Sequence, residues 1–347
     1  MSQTRKRVTI EDVARLAEVS TSTVSLVLRH APRITAPTRL RVEQAMAELG
    51  YRYNRGAANL RRGKAEAIGL LIDDIANPYF AEFTAAVTEA VMRDGRLVFL
   101  VDSQDDLARQ DFLLQALTEY GVAGTILCVA VGTGTATLKR LADWGVPCTL
   151  AIRTPPETTF DIVGLDNQAA AELATDHLVG LGHRRIAFVG GIAANATRAE
   201  RVAGYRAALD RHGIAFDPQL VVDGRPSRTS GVADAHALMA LADPPSALIG
   251  YNDLVALSLM RGLRDLSLAP GEDVAVIGFD NIAEADTAHP GLTTVELSPV
   301  EAGRLAALTL SRRLAAPDAP PVREIIRPRL VVRGSCCPPR HRSKRAS

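Results

Sequence analysis

Two hydrophobic rhythms divide the chain. Before residue 50 the apolar positions recur at helical spacing in three short runs. Ile10, Val13, Ala14 and Ala17 share one face of a helix predicted from Ile10 to Ala17, with Thr9 and Asp12 placed as a capping box. Val24, Val27 and Leu28 mark the inner face of a second helix, opened by the N-cap residue Ser20. Thr35 and Pro37 begin a third, in which Val42, Ala45, Met46 and Leu49 follow the i, i+3, i+4, i+7 pattern until Gly50 ends it. Only three or four residues part the first two helices, which predicts a helix-turn-helix unit around one small core.

From Ile68 onward the rhythm changes to continuous apolar runs alternating with amphipathic stretches. Ile68 to Ile72, Leu97 to Val101, Thr125 to Val129, Pro147 to Ile152, Ile186 to Val189, Leu220 to Val222, Ala247 to Ile249 and Val274 to Ile277 are predicted as buried strands. Between most of them lie helical segments, such as Phe83 to Met92, Gln110 to Tyr120, Arg198 to His212 and Asp253 to Leu266. Uniformly apolar strands alternating with helices imply parallel sheet covered on both faces. About 270 residues is long for a single core of this kind, so two lobes are expected.

Composition adds exclusions. The chain has 347 residues, four cysteines and a net charge of +1. So few thiols give neither a disulfide framework nor a paired CxxC zinc site; a reduced cytoplasmic protein without metal or cofactor is expected. No apolar run reaches the roughly 18 residues that span a bilayer, and Met1 to Arg7 is polar and basic, unlike a signal sequence. The near-neutral total conceals an asymmetry. Residues 1–64 carry 13 Lys and Arg against 5 Asp and Glu, residues 65–334 carry 23 against 34, and the remaining tail adds 4 cations. A basic head on an acidic body predicts one module that meets a polyanion and another that does not. No GxSxG, GxxxxGKS/T or HExxH occurs, and GTGTAT at Gly132 to Thr137 lacks the third glycine of a dinucleotide fingerprint, so no catalytic residue is assigned and an enzyme is not expected. Trp144 is expected to pack beneath a helix, and His183 to lie at a helix end after Gly182.

The second helix of a helix-turn-helix unit enters the major groove by its N-terminal end. Thr21 and Ser22 there carry hydroxyls able to bond base edges, and Arg29 could reach a guanine or a phosphate. In isolation these residues read as caps and solvated charge; the basic segment and the turn spacing favour DNA. The same residues carry a resemblance. VTIEDVARLAEVSTSTVSLVL from Val8, then TRLRVEQAMAELGYRYN, NRGAANLRRG, IGLLIDDIANPYFAEF, LGHRRIAFVGG, RVAGYRAAL, YNDLVAL, VAVIGFDN and LTTVEL resemble the lactose-repressor and galactose-repressor family of bacterial transcription regulators, from Val8 to about Gly334.

The resemblance implies that Thr21, Ser22, Leu26 and Arg29 face bases or adjacent phosphates, with Thr9, Ser20 and Ser25 completing the candidate DNA face. Asn54 to Arg62 matches a hinge that becomes helical on operator DNA. Its candidate contacts are Asn54, Ala57, Leu60 and Arg61, with Leu60 as an apolar wedge in a minor-groove step. Glu18 replaces the usual turn glycine, Tyr53 the usual proline before the hinge, and Gly56 lies within the hinge helix, where glycine costs about 1 kcal/mol relative to alanine. Leu26, where relatives often carry a polar residue, favours contact with a thymine methyl.

For the body the resemblance implies two Rossmann-like lobes, as in a periplasmic sugar-binding protein, with ligand in the cleft. The expected fold class is therefore α/β: an all-α helix-turn-helix head (1–53), a hinge helix (54–64), a two-lobed periplasmic-binding-protein-like effector and dimerisation domain (65–334) and a disordered basic tail (335–347). Ligands in open α/β sheets sit beyond the carboxyl ends of the strands, where Asp73, Asp74, Phe80, Asp102, Arg153, Asn195, Arg201, Asn252 and Asp280 fall. Carboxylates, amides and guanidinium groups around an aromatic plane suit a polyhydroxylated ligand. Phe80, Arg201, Asn252 and Asp280 match family pocket positions, and Asn195 and Thr197 match more variable ones. Arg153 follows Ile152, where many relatives carry aspartate before an arginine. The expected function is a ligand-responsive repressor of sugar-uptake or catabolic genes that binds a pseudo-palindromic operator as a homodimer or homotetramer, away from membranes. A solute-binding protein, an α/β enzyme with a basic extension, and a regulator answering a nucleobase or nucleoside are the alternatives.

Overall fold

A computed structural model describes residues 8–28, 31–51, 67–155 and 158–339. The chain divides into two compact units, Met1–Ala65 and Glu66–Ser347. In the first, α1 (Ile10–Leu16), α2 (Thr21–Leu28) and α3 (Ala36–Leu49) enclose Val13, Ala14, Ala17, Val24, Val27, Val42 and Ala45. Thr9 caps α1 reciprocally: its hydroxyl accepts from the Asp12 amide at 3.3 Å, and the Asp12 carboxylate accepts from the Thr9 amide at 3.0 Å. The turn into α2 places Glu18 at φ +52°, a left-handed conformation that favours glycine, and α3 ends on Gly50 at φ +63°.

The second unit holds two six-stranded sheets. The first lobe alternates β1 (Ala67–Ile72), α4 (Pro78–Arg93), β2 (Leu97–Asp102), α5 (Leu107–Glu119), β3 (Gly124–Leu127), α6 (Thr135–Asp143), β4 (Cys148–Ile152) and β5 (Asp161–Leu165). The second runs α7 (Asn167–Gly180), β6 (Ile186–Val189), α8 (Ala196–Arg211), β7 (Val221–Val222), α9 (Ser230–Met239), β8 (Ala247–Gly250), α10 (Asp253–Asp265), β9 (Ala275–Phe279), α11 (Ala283–Thr287) and β10 (Thr293–Glu296). The chain then returns through α12 (Pro299–Ala315) and β11 (Arg323–Ile326) to the first lobe, and crosses again to place β12 (Arg329–Val331) in the second sheet. The sheets order as β11-β5-β4-β3-β1-β2 and β12-β10-β9-β8-β6-β7, parallel except for the β10–β12 pair. Register brings the carboxyl ends of one sheet's strands level: Ile72 faces Asp102, and Leu71 faces Leu127.

Two glycines allow helices to meet at backbone distance. A methyl group at Gly204 would lie 2.1 Å from the Gln168 carbonyl oxygen, where α8 crosses α7; one at Gly303 would lie 2.6 Å from the Phe83 carbonyl oxygen, where α12 crosses α4. The latter contact seats the returning helix on the first lobe, so its position depends on the chain that has just left the second.

Several expectations need correction. The predicted strand Leu97–Val101 is present but not buried: β2 is an edge strand with Leu97, Phe99 and Leu100 exposed. Strands β5, β10, β11 and β12 were not anticipated: Asp161, Arg323 and Arg329 put charged side chains in β5, β11 and β12, and the paired threonines of β10, although β-branched, interrupt the uniformly apolar run of a buried strand. Asp161 is buried because Arg313 donates to it from Nε and Nη2 at 2.8 and 2.9 Å. The expected disordered tail from 335 begins too early. Ser335 is fully buried, accepting from the Thr293 amide at 2.8 Å and donating to the Val276 carbonyl at 2.6 Å, and residues up to Pro339 are described. His183 is buried, not a mere helix end: Nδ1 lies 2.8 Å from Ser246 Oγ, and Nε2 lies 2.7 Å from the Cys337 carbonyl. Trp144 is the half-exposed C-cap of α6 and does not lie beneath a helix.

Candidate functional site

A cavity of about 340 Å³ opens between the two sheets of the second unit. Its first-lobe wall comprises the residues after β1 (Asp73, Asp74, Asn77), the first turn of α4 (Tyr79, Phe80), the end of β2 and its loop (Asp102, Gln104, Asp105) and the end of β4 (Ile152, Arg153). Asn195, Thr197, Arg201, Arg225, Tyr251, Asn252 and Asp280 form the facing wall. Local chemistry places most of them. Asn77, Asn195 and Asn252 are N-caps, accepting from the amides of Tyr79, Thr197 and Val255 at 3.1, 2.9 and 3.0 Å, which fixes each amide group at the cavity edge.

Arg153 is set by a strained turn. Ile152 takes φ +69°, rare for a β-branched residue, and the Arg153 amide donates to the Ala151 carbonyl at 2.7 Å, closing a γ-turn. The guanidinium then lies between Asp73 at 2.6 Å and Asp105 at 2.5 Å, with Nη1 also donating to the Val129 carbonyl at 3.0 Å. Burial pushes the Asp73 carboxyl up to about 6, against the opposing pull of Arg153. Its Oδ1 has no hydrogen-bond partner among the described residues.

On the opposite wall Arg201 is almost fully buried. Nε donates to Asn167 Oδ1 at 3.1 Å, Nη1 donates to the Tyr251 carbonyl, and the guanidinium carbon lies 5.1 and 4.5 Å from the ring centroids of Tyr251 and Phe279. Asp280 sits 3.9 Å from Arg201 Nη2, and Asn77, from the other lobe, lowers its pKa alongside that arginine. Burial raises Asp280 to about 7 despite both partners. The turn that presents it is left-handed at Asp280 and Asn281, φ +112° and +58°. Behind it the buried Asp253 accepts from the Thr294 hydroxyl at 2.6 Å and from the Ile282 amide at 3.0 Å, holding that turn to β10.

All seven expected ligand residues, Phe80, Arg153, Asn195, Thr197, Arg201, Asn252 and Asp280, line this one cavity, as do Asp73, Asp74 and Asp102. Residue-by-residue reading missed Asn77, Tyr79, Asp105, Arg225 and Tyr251. Asn77 carried a signal, an N-cap immediately before a proline, and Tyr251 adjoins Asn252. Asp105 carried none; tandem left-handed residues, Gln104 and Asp105 at φ +53° and +56°, turn it inward. Among the described residues no cluster of His, Cys, Asp and Glu could hold a metal ion, and no helix is long and apolar enough to cross a membrane.

In the head, Thr21 and Ser22 are exposed at the start of α2, and Ser25 and Leu26 are half-buried one turn on. Ser20 Oγ accepts from the Thr23 amide at 3.1 Å and lies 2.6 Å from Ser22 Oγ, so Ser20 acts as a cap here, as Thr9 does. Arg29, Asn54, Ala57, Leu60 and Arg61 lie outside the described residues.

Comparison with known proteins agrees with both units. Residues 9–54 match the lacI family of bacterial regulatory proteins, and residues 175–336 match a periplasmic binding protein-like domain. The maltose regulon regulatory protein MalI of Escherichia coli K12 is 38% identical over 269 residues, 78% of this chain and 79% of its own. A solved complex of the transcriptional regulator CelR with cellobiose is 31% identical, covers 95% of this chain and all of its own, and superposes with a TM-score of 0.73. The lac repressor dimer bound to operator and the anti-inducer ONPF is 26% identical over 96% of this chain and all of its own, with a TM-score of 0.86.

Proposed function

Since the chain belongs to the lacI family of bacterial regulatory proteins, a family of DNA-binding transcription regulators and not of enzymes, we propose that it is a cytoplasmic, ligand-responsive repressor that binds a pseudo-palindromic operator as a homodimer, with a small effector in the cleft. One observation carries the reading: a helix-turn-helix head with exposed hydroxyls at the start of α2 shares a chain with a cavity walled by polar side chains from two lobes. The head reads a half-site, Thr21 and Ser22 meeting base edges and Leu26 a thymine methyl, while the positive end of α2 favours a phosphate. Two-fold symmetry of the dimer makes the operator a pseudo-palindrome. The exposed apolar side chains of β2 and its neighbours, Met92, Leu97, Phe99, Leu100 and Phe112, suit burial against a second copy.

The effector acts by population shift. Three crossings join the lobes, at 165–167, 296–299 and 326–329, and the Tyr79 hydroxyl of the first lobe donates to the Leu297 carbonyl in the second of them at 2.9 Å. A ligand that binds one lobe arrangement better than another moves the balance by no more than its differential affinity. The arrangement of the lobes sets the separation of the two hinges, and hence whether the Leu60 pair enters the minor groove. A sugar or sugar derivative fits the mixture of carboxylate, amide, guanidinium and aromatic groups. Selection of bound sequences from random duplex by the full chain tests the proposal: a two-fold symmetric consensus is expected, and recovery of unenriched DNA would refute it.

A further inference from the structure

The two walls of the cavity differ in charge. Among the described residues five aspartates and three arginines line it, and four of the aspartates, Asp73, Asp74, Asp102 and Asp105, stand on the first lobe with Arg153 as the one cation there. That cation is spent internally, clamped between Asp73 and Asp105 by the γ-turn at Ile152. Asp74 and Asp102 accept only local amides, from Ala76 and Gln104 at 2.9 and 3.1 Å. Asp73 is 3% exposed and lines the cavity, with its Oδ2 held by Arg153. On the opposite wall Arg201 and Asp280 offset each other and Arg225 stands at the exposed rim. An excess of carboxylates along one wall of a cavity repels itself when empty and is relieved by a cationic donor.

We propose that the effector carries a protonated amino group on a polyhydroxylated frame, docked against the Asp73, Asp102 and Asp105 wall, and that anionic sugars are excluded. This deepens the effector reading above and rests on it. Aspartate pairs with an ammonium by charge-assisted hydrogen bonds, about twice as strong as neutral ones, and repels a phosphate. The hydroxyls of the frame meet Asn195, Asn252 and Asp280, and its apolar face meets Phe80.

Matched ligands separate charge from size. Calorimetric titration of the full chain with glucosamine, the glucosamine dimer, N-acetylglucosamine, glucose, cellobiose and glucose-6-phosphate is expected to give binding of an amine at least about tenfold tighter than its neutral counterpart, and none of the phosphate. Asp73→Asn is expected to bring the affinities for amine and neutral sugar to within about twofold of each other, whatever it does to both, and Asp102→Asn, at the half-buried lip, to narrow the same ratio should the first variant fold poorly. No heat from either amine, equal affinity for neutral and amino forms, or binding of the phosphate would overturn the proposal. Operator affinity measured on the same samples keeps the two readings apart. A neutral sugar that binds and changes operator affinity leaves the effector reading standing without its amine; an amine that binds and leaves operator affinity unchanged confirms the charge preference and removes the effector role.

Discussion

Replacing Arg201 by methionine should cost stability in a manner that depends on pH. Arg201 is the cationic neighbour of Asp280 and donates to Asn167 and to the Tyr251 carbonyl while lying over two aromatic rings. Methionine retains much of the packing but abandons both acceptors, a loss of about 2 kcal/mol for two buried hydrogen bonds. At high pH a second cost is added. Burial already lifts Asp280 to about 7 from an ordinary 3.8, so the folded state holds this proton where the unfolded state has released it, and stability falls as pH rises between those values. Without Arg201 the carboxyl climbs further, and above neutrality the fold must either keep a proton or bury an unpaired charge. The total should then reach about 3–5 kcal/mol. Urea denaturation followed by helix circular dichroism at about pH 5 and pH 8 measures both. Asp280→Asn in the Arg201→Met background should remove the extra loss at pH 8 and leave the loss at pH 5. An equal or larger loss at pH 5 would refute the assignment of Asp280 as the group that Arg201 neutralises.

Gly204→Ala should destabilise the second unit by more than about 3 kcal/mol, because the clash with the Gln168 carbonyl exceeds the roughly 1 kcal/mol that alanine adds to helix propensity; thermal unfolding checks it. Removing residues 340–347 should leave the melting temperature unchanged, whereas removing 335–347 should lower it, since the second deletion takes away Ser335 and the Cys337 carbonyl that His183 holds. Leu60→Gly should weaken specific binding far more than nonspecific binding in anisotropy titrations, and equal losses would exclude the wedge. Operator affinity should fall steeply with salt, by about 0.9 logarithmic units per tenfold increase for every phosphate neutralised; a flat salt dependence would contradict the basic head as the contact surface.

The chemistry that was legible in the sequence is chemistry that local rules govern. Capping by Thr9 and Ser20, the glycine end of α3 and the buried aliphatic runs of β1, β4, β6, β8 and β9 each follow from a few neighbouring residues. The strand-end rule found nine cavity residues for the same reason: most lie one or two positions past an apolar run or at the next helix start. What escaped depended on distant partners. Asp161 reads as a loop residue until Arg313, far along the chain, neutralises it, and β11 and β12 exist only because the chain returns to sheets built earlier. Asp105 enters the cavity through a backbone conformation that no short-range pattern announces. The exposure of β2 was invisible because an edge strand with an apolar outer face and a central strand share the same apolar composition.

If the cleft governs the head, operator affinity must respond to cleft ligand, and measuring it with and without that ligand decides the matter. A screen of amino sugars, neutral sugars and nucleosides by thermal shift supplies the ligand, since a binder at a hundred times its Kd adds about 2.7 kcal/mol to the folded state. Anisotropy of a selected operator duplex is then followed with the full chain. A change in operator Kd of about tenfold or more is expected on ligand addition, corresponding to about 1.4 kcal/mol of coupling, with no change on random duplex. A saturated cleft that leaves operator affinity where it was would contradict it.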